Sequence, residues 1–362
     1  MLHFDFEALA TLGLTPALAS RAVSGYVPAP EEGDAQLVRV TEVHRETVAF
    51  HDGVIEASAR PLPRLVRSLI DQETALAAGD WAIAFADAFG QHWIVDRIAP
   101  TSHITRRDAE GARHPVVSNV DVAVLVMGLD DDFNPRRLER FIALVHGEAI
   151  VPVVVLTKAD IVPVALLEDR VASVRRRISP HIDIVAVDAT GPSAAVTLQP
   201  YVAAGTTLVM LGSSGAGKST LTNTLIGTRV QDTGAVREAD GRGKHTTTSR
   251  SLHRLPGGAC VIDTPGVRTL RPDGDESALA ESFGDIEALA AECRFRDCEH
   301  AAEPGCAVRA GVEPDRLRNY QKMLREVRRD RMTALERQRQ VAQFKVRGRA
   351  VREKMRIKRG IG

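Results

Sequence analysis

The string GSSGAGKST at 212–220 narrows what this chain can fold into more than any other feature. It satisfies G-x-x-x-x-G-K-[ST], follows the apolar run TTLVMLG (206–212) and opens onto LTNTLIG (221–227). Such a loop needs a buried strand behind it and a helix N-terminus ahead, where backbone N–H groups can meet an anion. Gly215 and Gly217 permit the tight turns that let the amides of Gly212, Ser213, Ser214, Ala216 and their neighbours converge on phosphate oxygens. Lys218 is placed to reach the β- and γ-phosphates, and Ser219, at the helix start with Thr220, to bind Mg²⁺. A chance Gly-rich turn is the bland alternative, and the strand–loop–helix context argues against it.

The surrounding sequence fits that loop. VDVAVLVM (120–127), IVPVVVLT (150–157), HIDIVAV (181–187), TTLVMLG and CVIDT (260–264) are continuous, β-branched runs. Such runs suit strands buried on both faces of a mainly parallel sheet. Helical spacers such as PRRLERFIALVHG (135–147) separate them, which predicts an α/β nucleotide-binding domain, assigned to 116–274.

Two further motifs identify the nucleotide. DTPG (263–266) ends an apolar strand, so Asp263 can hold Mg²⁺ through water and the Gly266 amide can meet the γ-phosphate. TKAD (157–160) also ends a strand. A carboxylate at Asp160 accepts two hydrogen bonds from guanine N1–H and N2–H₂, which adenine does not offer, and Lys158 can lay its stem over the base. Thr157 stands where Asn is usual, and its hydroxyl can still bond locally. AVDATG (186–191) follows another strand; there Asp188-Ala189 replaces the Ser-Ala pair that commonly presents an amide to guanine O6. The base-reading TKAD precedes the phosphate loop by 55 residues, the reverse of the usual order. This is a circular permutation: connectivity changes while strand neighbours and motif geometry are kept.

GRGKHTTTSR (241–250) lies between the phosphate loop and DTPG, where the first switch belongs. One of Thr246, Thr247 and Thr248 should give Mg²⁺ its second hydroxyl, and Thr247 is taken as the candidate. Val267 follows DTPG and offers no polar group, so His245 is the candidate to orient the attacking water; contact with RNA or solvent is an equal alternative.

Ahead of this domain, 1–35 reads as a short helix and lead-in, with Leu9, Leu12 and Leu14 apolar and Pro16 limiting the helix. QLVRVTEV, TVAFHDG, VIEASAR, WAIAFADAFG and HWIVDRI supply five short strands within 36–100, which predicts an OB-type β-barrel of the kind that often binds nucleic acid. The polar stretch 101–115 is expected to be a linker. Behind the domain, 275–330 is helix-forming and holds Cys293, Cys298, His300 and Cys306, spaced C-x₄-C-x-H-x₅-C. That set suits one structural Zn²⁺, because clustered thiols in a reducing compartment favour a metal over a disulfide. Cys260, inside an apolar strand, is expected to be core.

From Arg316 onward the chain carries 17 Lys and Arg against 4 Asp and Glu, while the preceding 315 residues carry 30 against 43. An acidic body with a basic helical tail (331–362) points to a polyanionic partner, with a solvated helical extension as the bland alternative. No apolar run has the ~18 residues of a membrane span. The acidic start MLHFDFEALATLGL argues against export, so a cytoplasmic protein without membrane contact, and a monomer, is expected.

With these residues in view, the chain resembles the circularly permuted, ribosome small-subunit-dependent GTPase A family of bacteria. GDW (79–81), SNVD (118–121), DFNPRRLERF (132–141), TKAD, GSSGAGKST, GKHTTT, DTPG and the Cys-His spacing carry the likeness, which covers nearly the whole chain. The resemblance implies a multidomain α/β protein: an OB barrel, a central permuted P-loop GTPase domain and a C-terminal helical zinc-binding domain. It also implies GTP and GDP with Mg²⁺ as ligands, and the small ribosomal subunit with its rRNA as partner, bound late in maturation and stimulating hydrolysis. Thr157, Asp188 and the long tail depart from the family pattern. A nucleotide-gated RNA-binding scaffold and an ATPase or small-molecule kinase are the competing functions; TKAD argues against the last.

Overall fold

The computed structural model describes residues 2–27, 33–107, 113–227, 250–264 and 276–330. The basic tail 331–362 lies outside them. A two-residue strand β1 (Leu2–His3) leads into helices α1 (Phe6–Ala10) and α2 (Pro16–Gly25). The single helix expected here is thus two, because Gly13 turns the chain at a φ of +91° and Thr15 caps a new start by accepting from Leu18 N. Pro16 begins the second helix, where its missing N–H costs nothing. Leu9, Leu12, Leu14 and Leu18 are buried.

Strands β2 (Ala35–Val43), β3 (Val48–His51), β4 (Glu56–Pro61), β5 (Trp81–Ala86) and β6 (His92–Arg97) close a five-stranded barrel in the order β2-β3-β4-β6-β5, with β5 pairing back onto β2. Helix α3 (Pro63–Asp71), between β4 and β5, was not evident in the sequence; it drops Leu65 and Leu69, one turn apart, into the barrel core. The imperfect alternation of β2 and β5 has a physical cause. Val38, Val40, Ala82 and Ala84 line the barrel, while Leu37, Trp81 and Ile83 on the opposite faces pack into a second core shared with α1, α2 and the nucleotide sheet.

The stretch 101–115, read as a linker, forms most of a hairpin that runs on to Ser118, β7 (His103–Arg107) paired with β8 (Arg113–Ser118). Its polar residues hid a buried side made by Ile104, Val116 and Val117.

Next come β9 (Val122–Gly128), α4 (Pro135–His146), β10 (Val151–Thr157), α5 (Val164–Arg175), β11 (Asp183–Ala186), α6 (Pro192–Leu198), β12 (Thr207–Gly212), α7 (Lys218–Ile226), β13 (Ser251–Arg254) and β14 (Cys260–Asp263). The sheet order is β11-β10-β9-β12-β14-β13, parallel except for β13. Strand β13 also touches β2 through Ser251 and Glu42, so barrel and sheet share one hydrogen-bonded path. Helices α8 (Glu276–Ser282), α9 (Gly284–Ala290), α10 (Ala307–Gly311) and α11 (Pro314–Asp330) follow, around Phe283, Ile286, Val308 and Met323.

The GDW and SNVD strings form the seam between barrel and sheet. Gly79 sits at a φ of +91°, and a Cβ there would stand 2.1 Å from the Ser118 carbonyl oxygen. Asp80 is buried against Arg97 at 3.0 Å. Asn119 donates to the Gly79 carbonyl, and Asp121 accepts from Thr207 N at 2.7 Å. Fully buried Arg39 lies over Trp81 and donates to the Asn119 carbonyl at 3.0 Å; burial pulls its pKa down to about 10. These contacts join the barrel to the sheet.

Candidate nucleotide site and metal cluster

The sheet brings the motifs together at the carboxyl ends of its parallel strands. Gly128 ends β9, Thr157 ends β10, Gly212 ends β12 and Asp263 ends β14. From β9 the chain winds outward through β10 and β11, then returns to β12 and continues on the other side to β14. The phosphate loop therefore leaves the sheet at a point where the winding direction reverses, the place where open α/β sheets bind ligands.

Gly212 has no room for a side chain: a Cβ would lie 2.3 Å from the Val126 carbonyl oxygen. Gly215 and Gly217 adopt φ of +82° and +94°, which L side chains rarely occupy. Lys218 is buried and donates from Nζ to the carbonyls of Gly212 and Ser213, at 2.9 and 2.7 Å. Ser214 is exposed on the loop, and Thr220 lies in the first turn of α7. Ser219 Oγ donates to Asp263 Oδ2 at 3.2 Å. Burial pushes the Asp263 carboxyl above its usual range, countered by the charge of Lys218 and the bond from Ser219. Its second oxygen, Oδ1, is buried and has no hydrogen-bond partner among the described residues. A carboxylate oxygen so placed beside a serine hydroxyl is chemically suited to a hydrated divalent cation, so the residues fit Mg²⁺.

TKAD packs directly on this loop. Thr157 Oγ1 donates to the Ala216 carbonyl at 2.6 Å, and a Cβ on Gly217 would come within 3.3 Å of the same hydroxyl. Lys158 takes a φ of +63° and places Nζ 2.6 Å from Asp130 Oδ2. Asp160 follows, exposed. The 186–191 segment lies alongside: Ala159 N donates to the Val187 carbonyl, and Thr224 of α7 donates to the Ala189 carbonyl at 2.7 Å. Asp188 caps its own turn, accepting from Thr190 N and Oγ1, and these bonds hold its carboxyl below the usual range. His245, Thr246, Thr247, Thr248 and Gly266 lie outside the described residues.

Sequence reasoning missed two acids here. Asp130 pairs with Lys158, and Asp132 accepts from Ser213 Oγ. The available signal was an acidic run, LDDDF, directly after an apolar strand whose carboxyl end faces a ligand site.

Cys293, Cys298, His300 and Cys306 offer donor atoms that all lie within 4.8 Å of one another. Cys293 Sγ is 3.6 Å and Cys306 Sγ 3.5 Å from His300 Nδ1, and the two sulfurs are 3.9 Å apart. The edges of a tetrahedral site with ~2.3 Å metal–sulfur and ~2.0 Å metal–nitrogen bonds fall at about 3.5–3.8 Å. The set could hold one such ion. His300 adopts a φ of +56°, and its carbonyl accepts from Gln321, tying the cluster to α11. Cys260 is buried in β14, away from the cluster.

The RsgA GTPase family model matches residues 98–272. "Small ribosomal subunit biogenesis GTPase RsgA" of Xanthomonas campestris pv. campestris (strain B100) is 46% identical over 299 residues, covering 80% of each chain. The protein of that name from Xanthomonas euvesicatoria pv. vesicatoria (strain 85-10) is 45% identical over 298 residues, again 80% of each. Among solved structures, YjeQ from Thermotoga maritima aligns with a TM-score of 0.59 at 23% identity, covering 81% of this chain and 98% of that one. YloQ, described as a circularly permuted GTPase, aligns with a TM-score of 0.55 at 21% identity, covering 85% and 99%. At those identities the two structures speak for the fold alone. The sequence relatives go further, and with them this chain belongs to the RsgA GTPase family of GTP-hydrolysing enzymes.

Proposed function

We propose that this protein docks on the small ribosomal subunit during late maturation and hydrolyses GTP to GDP and phosphate faster when docked. The observation that carries the chemistry is the Ser219–Asp263 pair at the foot of the phosphate loop, with Asp263 Oδ1 buried and without a hydrogen-bond partner among the described residues. The printed names of the relatives support the partner. In this reading the amides of 212–217 and Lys218 bind the β- and γ-phosphates, with Lys218 exchanging its two carbonyl partners for phosphate oxygens. Ser219, Thr247 and Asp263 hold Mg²⁺, which supplies charge neutralisation when bound. Lys158 and Asp160 read guanine, supported on one side by Thr157 and on the other by the 187–189 segment. Gly266 meets the γ-phosphate and His245 orients the attacking water. Cys293, Cys298, His300 and Cys306 hold one structural Zn²⁺. The barrel and the basic tail contact rRNA, and the protein acts as a cytoplasmic monomer.

GTP turnover measured with and without purified small subunits, with ATP as control, tests the proposal. Stimulation of about tenfold or more, confined to GTP, is expected; turnover indifferent to the subunit would remove the ribosomal half of it.

The base assignment makes its own prediction. Asp160→Asn replaces a double acceptor with a side chain that donates one N–H, which clashes with guanine N2–H₂ and suits the C2 carbonyl of xanthine. GTP affinity should fall about a hundredfold or more, and xanthosine triphosphate should become the better ligand. Competition binding with both nucleotides measures this, and an unchanged preference for GTP refutes the role of Asp160.

A further inference from the structure

The 129–134 segment, LDDDFN, connects β9 to α4 and lies against both halves of the nucleotide site. Asp132 faces the phosphate loop. Ser213 Oγ lies 2.7 Å from Asp132 Oδ1 and 2.6 Å from Oδ2, so one hydroxyl proton is shared by the two oxygens. The side of the carboxylate away from the loop is closed: Arg137 Nη2 sits 2.6 Å from Oδ1 and also donates to the Asp132 backbone carbonyl, and Gly128 N donates to Oδ2 at 3.4 Å. Arg137 is one turn into α4, whose first turn is capped by Asn134.

The segment is held from every direction. Leu129 N donates to the Thr157 carbonyl, Arg170 of α5 donates to the carbonyls of Leu129 and Asp130, and the Arg170 guanidinium lies over Phe133. Helix α4 is gripped along its opposite flank by α11. Buried Glu139 accepts from Arg316 at 2.7 Å and from Asn319 at 2.6 Å, and Arg140 pairs with Glu326. Asp132 is thus a fixed point, and Ser213, second residue of the phosphate loop, hangs from it.

A carboxylate this close to a phosphate-binding loop is adverse for an anionic ligand unless it is neutralised. Arg137 neutralises it, leaving the geometric benefit of a charge-assisted hydrogen bond without a free negative charge facing the phosphates. We propose that Asp132, charge-balanced by Arg137, is a positioning residue that holds the phosphate loop in its binding-competent shape through Ser213. The inference rests on GTP binding in this loop, not on the ribosomal partner.

Binding of a fluorescent GDP analogue, with steady-state GTP kinetics, tests it in the full-length protein. Asp132→Ala should weaken GDP binding about tenfold, and Ser213→Ala by a similar factor, because each removes the same charge-assisted bond. The double variant should be no weaker than Asp132→Ala, since Ser213→Ala removes no bond to Asp132 that the first substitution has left. Asp132→Asn, which still accepts from Ser213, should recover part of the affinity. KM should rise more than kcat falls, because Asp132 touches no reacting atom. Parental GDP affinity in Ser213→Ala, or multiplying effects in the double variant, would overturn the proposal. Ser213→Ala and Asp132→Asn keep the test open should Asp132→Ala fail to fold. Loss of Asp132's effect on GDP binding would leave subunit stimulation untouched, so the two readings fail separately.

Discussion

Replacing Lys218 with alanine is expected to lower single-turnover GTP hydrolysis about a thousandfold while leaving the fold intact. The ammonium is buried at the start of α7 and bonded to two carbonyls of its own loop. Removing it frees two backbone acceptors at the mouth of the site, where water can reach them when nucleotide is absent. The fold therefore loses little. Phosphoryl transfer loses much more, because charge building on the transferred group meets one fewer preorganised cation in a site shielded from water. A single such group is worth about 10²–10³ in rate. Lys218→Arg should not rescue it: a planar guanidinium is bulkier and spreads its charge, and so does not suit a buried slot built around two carbonyls. Rapid-quench hydrolysis with circular dichroism as a fold control measures this. A loss below tenfold would move the principal cation elsewhere.

Under the proposed zinc assignment, stripping metal from the Cys-His cluster should have the largest effect on stability. Around it, α8 to α11 share one small core, with Phe283, Ile286, Met323 and Tyr320 inside and Cys306 at its edge. Outside that core lie ion pairs such as Arg328–Glu276, and exposed pairs of this kind contribute little. A structural zinc contributes of the order of 10 kcal/mol at neutral pH. Chelation, or Cys298→Ser, should therefore unfold 276–330 locally while the parallel sheet persists. Hydrogen exchange should reveal fast exchange across α9 to α11 with β9, β10 and β12 still protected, and elemental analysis should find one zinc per parental chain. Parental protection in the metal-free protein would show that the small core suffices unaided.

Arg316 is where such unfolding would reach the nucleotide domain. It joins Glu139 of α4 to Asp285 of α9 and lies over the Phe283 ring. Releasing it uncovers Glu139 and leaves Arg177, 3.6 Å away, as its charged neighbour on the nucleotide domain. The Glu139 carboxyl is already pushed up by burial and pulled back mainly by Arg316. Unfolding 276–330 also removes the core that covers this flank of α4, in which Ala143 packs. Some loosening of α4 should therefore accompany metal loss.

Much of this was legible along the chain because it is local. Four of the continuous β-branched runs became the buried strands β9, β10, β12 and β14, since a strand covered on both faces must be apolar on both; the fifth became β11, an edge strand that is only partly buried. The phosphate loop, TKAD and the Cys-His quartet declare their chemistry within 4 to 14 residues each, and the reversed order of the first two reveals the permutation. Other features were hidden by mixed signals. The 103–118 hairpin carries charged residues among its apolar ones, and α3 is a nine-residue helix inserted between strands β4 and β5, starting at Pro63 two residues after Pro61.

What the sequence determined by itself was the class of nucleotide-binding sheet, the motifs at its strand ends and the order in which the chain visits them. Backbone geometry enforces those patterns over a few residues, so they survive as strings. The tertiary structure alone decided what the charged residues between the motifs do. Asp132 meets Ser213 across 81 positions, Arg39 meets Asn119 across 80, and Arg316 meets Glu139 across 177. An isolated Asp or Arg has the same appearance in a sequence whether it ends in water or in a seam. Only folding selects its partner, because desolvation makes an unpaired charge costly wherever the chain happens to bury it.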